Sequence, residues 1–175
     1  MKVLGFILEE RPSVGAHVQY SINKFNKSLW AVTHLKRANI ENNVLLKVYT
    51  VMLRPHLEYG SPVFHPMLTE KMSEDLERQQ RRALKIIYGF GESYSCLLNK
   101  TGLKTLRLRR EEACKNFAKK LLESTRFNYL FPENEYEEEA VVLRKTKKYK
   151  EEYAKTNRLY NSPLFYMRRE LNNEL

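Results

Sequence analysis

Four histidines, two cysteines and a single aspartate are the side chains of this sequence best suited to holding a metal ion or making a nucleophile. His17, His34, His56 and His65 fall in no H-x-x-x-H or H-E-x-x-H spacing, the pattern that sets two imidazoles on one helical face for zinc. Cys96 and Cys114 form no C-x-x-C pair and are too few for a disulfide framework, so both read as buried thiols. Asp75 is the only aspartate. Nucleotidyl transfer by two metal ions needs several short carboxylates converging on one point, and one Asp does not build that site. Gly89, Phe90 and Gly91 begin like a phosphate loop, yet no third glycine and no Lys-Ser or Lys-Thr follows, which leaves a helix C-cap. Ser95 has no acid and base arranged near it in the pattern of a nucleophile. The expectation is a chain with no catalytic residue, no metal site and no cofactor of its own.

What the sequence does offer is positive charge, unevenly placed. The formal net charge is +10. Residues 1 to 132 hold 22 Lys and Arg against 12 acidic residues, while residues 133 to 175 hold 9 against 9. Residues 78 to 120 hold 12 basic residues and only Glu92, Glu111 and Glu112 in opposition. Such a run is a candidate phosphate-facing surface, because neutralising a polyanion releases its condensed counterions. Two clusters stand out: Arg78, Arg81, Arg82 and Lys85, then Lys104, Arg107, Arg109, Arg110, Lys115, Lys119 and Lys120. Either could contact nucleic acid; the first could equally be a solvated face whose order suits the helix dipole. Lys36 and Arg37 read more simply as dipole partners. Tyr129, Phe131 and Tyr136 could stack on bases or pack beneath the tail.

The elements that must carry these residues follow from periodicity. Val3 to Leu8 is a short apolar run that reads as a strand. From Val14 to Arg37, the apolar positions Val18, Ile22, Phe25, Leu29, Val32 and Leu35 recur at helical spacing, with Trp30 beside the stripe. Residues 42 to 59 are so densely apolar that they predict a central helix contacted on several sides, kinked or ended near Pro55. A third helix can start after Thr69 as N-cap and stop at Gly89, with pairs Glu74–Arg78 and Glu77–Arg81 at i, i+4. Ser95 to Leu98 suggests one helical turn, and Leu106 to Glu123 another helix whose apolar face runs through Leu106, Ala113, Phe117 and Leu121, with Cys114, Ala118 and Leu122 alongside. Glu58 is expected to pair with Arg54 or with an arginine of the third helix. Past Pro132 an acidic run precedes a basic one without apolar period, a weakly ordered stretch, before Asn161 to Leu171 regains the character of a short helix. The fold class is therefore mainly α: a helical bundle spanning residues 14 to 123, with a short N-terminal strand and a weakly ordered C-terminal tail. No run approaches the roughly 18 to 20 apolar residues of a membrane span, and acid interrupts the opening before a signal core is complete. An intracellular protein, nuclear or cytoplasmic, is expected, without membrane partners.

Leu53, Arg54, Pro55, Leu57, Glu58 and Tyr59, continuing through Val63, Phe64 and Pro66, resemble the segment that follows the catalytic palm in reverse transcriptases of non-LTR, LINE-type retrotransposons. Leu76, Glu77, Gln80, Arg82, Ala83, Ile87 and Gly89 are similar to the family's next conserved stretch. Leu103 to Leu106, Arg109 to Glu111, the opening Lys2 to Leu8 and the ending Ala154 to Pro163 also resemble it in order and spacing, so the likeness runs nearly end to end. Phe64 stands where the family often has Trp. The resemblance implies a palm-end strand at residues 1–12, a three-helix thumb-like bundle at 13–92, a post-thumb helical extension at 93–132 and a flexible charged tail with a terminal helix at 133–175. It also implies that the palm and fingers, with their metal-binding aspartates, would precede Met1. The function it implies is non-specific binding of RNA, DNA or an RNA:DNA hybrid as part of an RNA-directed DNA polymerase, or a remnant of that role in a decayed copy. Two rivals remain: an α-helical protein-interaction module, and a basic RNA-binding protein unrelated to transposition.

Overall fold

The computed structural model describes residues 1–7, 13–134 and 147–173. The chain divides into two compact units, one made of Met1–Ser61 with Leu68–Arg110, the other of Pro62–Met67 with Glu111–Leu175. Both are mainly helical, as the periodicity requires.

The first unit opens with a hairpin rather than one strand. β1 (Lys2–Val3) pairs antiparallel with β2 (Phe6–Ile7), Val3 opposite Phe6. Leu4 at φ 47° and Gly5 at φ 85° make the two-residue turn, the backbone that matches strand twist and that Gly adopts without strain. Leu8 and the acidic and proline residues after it, through Pro12, lie outside the described residues. The hairpin is tied down by Phe6, which stacks on His17 with ring centroids 4.0 Å apart, and by the Tyr59 hydroxyl, which donates to the Leu4 carbonyl at 2.5 Å.

α1 (Gly15–Arg37) buries His17, Val18, Ser21, Ile22, Phe25, Leu29 and Val32, the stripe its sequence spacing requires. α2 (Asn42–Val48), a π-helical turn (Tyr49–Leu53) and α3 (Arg54–Glu58) then form one helical run. Its buried residues are Leu45, Tyr49, Leu53 and Leu57, four apart throughout. Steps of four overshoot a 3.6-residue turn, and the wider π turn takes up that drift before Pro55 enters at the start of α3. The run packs against both α1 and α5, yet Val44, Val51 and Met52 are exposed, so part of its apolar density faces outward.

α5 (Glu70–Tyr88) begins where Thr69 accepts the Met72 N–H at 3.2 Å and ends at Gly89, φ 104°. α1 packs on both α3 and α5, and α2 on α5, giving three packed helical segments between Val14 and Gly89. α6 (Tyr94–Thr101) is longer than the single turn expected from Ser95, capped by Ser93 at one end and left-handed Gly102 at the other. α7 (Leu106–Glu123) supplies its first turns to this unit.

In the second unit, α4 (Ser61–Phe64) leads into a 3₁₀ turn (His65–Met67), against which α9 (Pro163–Asn173) packs, Tyr166 lying edge-on to His65 at 5.5 Å. Ala118, Phe131, Tyr149, Met167 and Leu171 are its core, joined by Leu121 and Leu122 of α7. Glu133 bridges Tyr149 antiparallel, and Arg168 donates twice to the Leu130 carbonyl, at 2.7 and 3.0 Å. α8 (Asn157–Tyr160) precedes α9, the terminal helix the sequence predicts. Residues 135–146, which hold Tyr136 and most of the acidic run, lie outside the described residues. Among the described residues no helix is long and apolar enough to cross a membrane.

Candidate nucleic-acid interface

A buried polar network sets the frame for the basic residues. Gln80, fully buried in α5, accepts from the Tyr49 hydroxyl at 2.6 Å and donates to Tyr94 Oη at 2.8 Å and the Lys104 carbonyl at 3.0 Å. Glu77, one turn earlier, accepts from the Tyr94 hydroxyl and from the backbone N–H groups of Leu106 and Arg107, each at 3.3 Å. Its carboxylate therefore caps the N-terminus of α7 from another helix, where the unsatisfied N–H groups and the dipole favour a negative group. Thr105 completes the cap by accepting the Leu108 N–H at 3.2 Å. Burial drives both tyrosines well above the usual phenol range, strongly so for Tyr49. The expected pairing of Glu77 with Arg81 does not form, because α7 draws the carboxylate inward.

A second polar link joins α3 to α7. Arg109 grips Glu58 with Nε on one carboxylate oxygen and Nη2 on the other, the latter at 3.1 Å, while Arg54 approaches the same group at 3.6 Å. One of Glu58's partners is the Arg54 that the sequence suggested; the second comes from α7 and not from the third helix. Arg110 lies wholly inside, 0% exposed, donating to Ser73 Oγ at 2.8 Å. Leu106, Arg110, Cys114 and Ala118 are four apart and all buried, so Arg110 occupies an apolar stripe. This removes Arg110 from any solvent-facing phosphate surface and gives Arg109 a partner that holds the fold together. Phe117, expected on that buried face, is 42% exposed instead. Cys114 is buried but Cys96 is exposed, contrary to the expectation of two buried thiols.

The exposed cations fall into two groups. In the first unit, exposed Arg78 and Arg82 and half-buried Lys85 follow i, i+4, i+7 spacing along one face of α5, opposite its buried stripe. Arg78 pairs with Asp75 at 3.1 Å, not with Glu74; Arg81 takes Glu74 at 3.1 Å and lies over the Tyr94 ring at 5.1 Å. Arg82 donates to Asn26 Oδ1 at 3.3 Å, and among the described residues Lys85 forms no ion pair. Lys104 is exposed, and Arg107 is exposed with Glu70 at 3.4 Å. Surface pairs of this kind contribute only about 0 to 1 kcal/mol, so a phosphate can compete for their arginines. In the second unit Lys119 and Lys120 are exposed, whereas Lys115 is half-buried and paired with Glu170 at 3.3 Å. Tyr129 is exposed and Phe131 buried edge-on to Tyr149, so of that aromatic set Phe131 is committed to packing. Among the described residues no three His, Cys, Asp or Glu side chains are placed to hold a metal ion.

Sequence reasoning missed Glu77 and Gln80 as the residues that position α7. The available signal was their place in the period of α5: both fall with Leu76, Ala83, Leu84 and Ile87, the face that must be buried. Compared with known proteins, the chain matches no family model, no curated protein and no solved structure.

Proposed function

We propose that this chain grips nucleic acid without regard to sequence, as the helical C-terminal part of an RNA-directed DNA polymerase of the LINE type. The observation that carries the reading is the outward stripe of Arg78, Arg82 and Lys85 on α5, with exposed Lys104 and Arg107 in the same unit. A straight row of cations on a rigid helix suits a phosphate backbone, whose contacts position a duplex but carry no base information. The residues behind the family resemblance support the same reading from inside. Glu58, Glu77 and Gln80 lie in segments similar to the family's, and they bond α3, α5, α6 and α7 to one another through Arg109, Tyr94 and the start of α7. The motif residues thus serve as scaffold, and the exposed cations beside them serve as contacts.

The test is a titration of the whole chain against a blunt RNA:DNA hybrid at several salt concentrations and in two unrelated sequences. Affinity should fall steeply with salt and be the same for both sequences. Loss of sequence-independence, or no binding at low salt, would sink the proposal. Reversal of Arg109 and Arg110 is unsuitable as a probe, since it would break the Glu58 pair and charge a buried stripe; Arg82→Glu with Lys85→Glu tests the contact surface without touching the core. A second reading, a protein-interaction module, draws on one observation: Val44, Val51 and Met52 leave an apolar face of the α2 to α3 run uncovered. Unbound hybrid at low salt is the result that would favour it.

A further inference from the structure

A groove of about 360 Å³ opens between α1 and α5, with Leu29 and Thr33 at its base and Asn26, Trp30, Arg37 and Arg82 around it. Trp30 is the only tryptophan in the chain and is 65% exposed. Exposure alone means little, since single apolar side chains on a surface are ordinary. The surroundings decide the matter. The His34 ring lies against the indole with centroids 3.8 Å apart, and its Nδ1–H donates to the Trp30 carbonyl at 2.9 Å, which fixes the imidazole and steadies the indole beside it. Arg82 is oriented by Asn26 at 3.3 Å. No carboxylate lines the groove, and among the described residues neither Arg37 nor Arg82 forms an ion pair. A held aromatic ring in a groove that two arginines also line offers a stacking surface together with forked donors for an anion. The volume lies at the small end of ligand sites, enough for one nucleotide.

We infer that this groove takes an unpaired nucleotide of a single-stranded segment, its base against the Trp30 indole and its phosphate between Arg37 and Arg82. Stacking on a protein ring needs a free base face, and bases inside a duplex have both faces covered by their neighbours. The inference rests on the nucleic-acid reading and extends it: Arg82 belongs to both the α5 stripe and the groove, so the strand beyond the end of a gripped duplex is the segment that reaches Trp30. An acidic peptide could satisfy the arginines but would leave the indole without a stacking partner.

The test compares a blunt RNA:DNA hybrid with the same hybrid carrying a short single-stranded RNA extension, using indole fluorescence and affinity together. For the wild-type chain the extension should tighten binding by about tenfold and quench the single indole. Trp30→Ala should lose that gain while binding the blunt hybrid as before, and Trp30→Phe should keep most of it. The inference is overturned if Trp30→Phe and Trp30→Ala both retain the full gain, if emission is unchanged at saturation, or if blunt and extended hybrids quench equally. It is also overturned if poly-glutamate quenches the indole and the extended hybrid fails to displace it. A wild-type chain that binds the blunt hybrid but gains nothing from the extension sinks this inference alone; one that binds neither sinks the nucleic-acid reading as well.

Discussion

Glu77 satisfies two backbone donors of a helix that begins 29 residues further along the chain, and it does so at 8% exposure. A buried carboxylate that accepts several hydrogen bonds costs most when it is removed, because Leu106 N–H, Arg107 N–H and the Tyr94 hydroxyl would then face no acceptor. Glu77→Ala should therefore destabilise the first unit by about 2–4 kcal/mol, read as a lowered urea midpoint. A midpoint equal to that of the wild type would mean that water replaces the carboxylate freely. Tyr49 makes the complementary case in alkali. Burial raises its folded-state pKa far above the ordinary 10.0 of the unfolded chain. Its contribution is thus fully present below pH 10 and is lost as pH rises above that value, with a slope approaching about 1.4 kcal/mol per pH unit. In Tyr49→Phe that part of the alkaline slope should vanish, even though the Gln80 bond is also lost; an unaltered slope would place the titration elsewhere.

Among the elements, the N-terminal hairpin also packs against one constrained backbone position in the loop after α3. Gly60 adopts φ +76°, and a Cβ there would stand 3.3 Å from the Phe6 ring. Gly60→Ala should cost about 1–2 kcal/mol for the left-handed backbone, lowering the melting temperature and loosening amide protection in the hairpin first. Equal protection of Phe6 in wild type and variant would separate the hairpin from this loop. Local rules explain why α1 and α5 were legible in the sequence: a stripe at 3.6-residue spacing in both, with a Thr at the start and a Gly at the end of α5, belongs to the helix itself. The hairpin was half legible, since Val3 to Leu8 reads as extended but the Leu4–Gly5 turn needs a non-glycine residue at positive φ. The π turn was hidden because Pro55 advertises a break just past the Tyr49–Leu53 turn where the helix actually widens. In the candidate interface, Arg78 and Arg82 were legible as exposed cations, whereas Lys85 is half-buried. Arg110 was not, because residue type outweighed the four-residue spacing that puts it in line with Leu106 and Cys114. Of the expected ion pairs, Arg54 with Glu58 forms at i, i+4, while Glu74 with Arg78 and Glu77 with Arg81 do not. The i, i+4 rule knows only one helix, whereas Glu58 and Glu77 answer to α7.

Over the whole molecule, charge is the property that separates the competing functions. The excess of basic residues sits in the first 132 positions, and its outward-facing members are divided between two units, among them exposed Arg82 and half-buried Lys85 in the first and exposed Lys119 and Lys120 in the second. Each phosphate neutralised contributes about 0.9 to the slope of log affinity against log salt on duplex nucleic acid, so the slope counts contacts where a single Kd does not. Reversing Arg82 and Lys85 together should flatten that slope by about 2, and reversing Lys119 and Lys120 should flatten it by a similar amount if both units engage one duplex. The four substitutions combined should then add, leaving helix content by circular dichroism unchanged because all four side chains lie outside the two cores. A slope that ignores the first pair would remove α5 from the interface; one that ignores the second pair would confine binding to the first unit. Weaker binding with the slope intact would point instead to altered packing, since a lost phosphate contact cannot leave counterion release untouched.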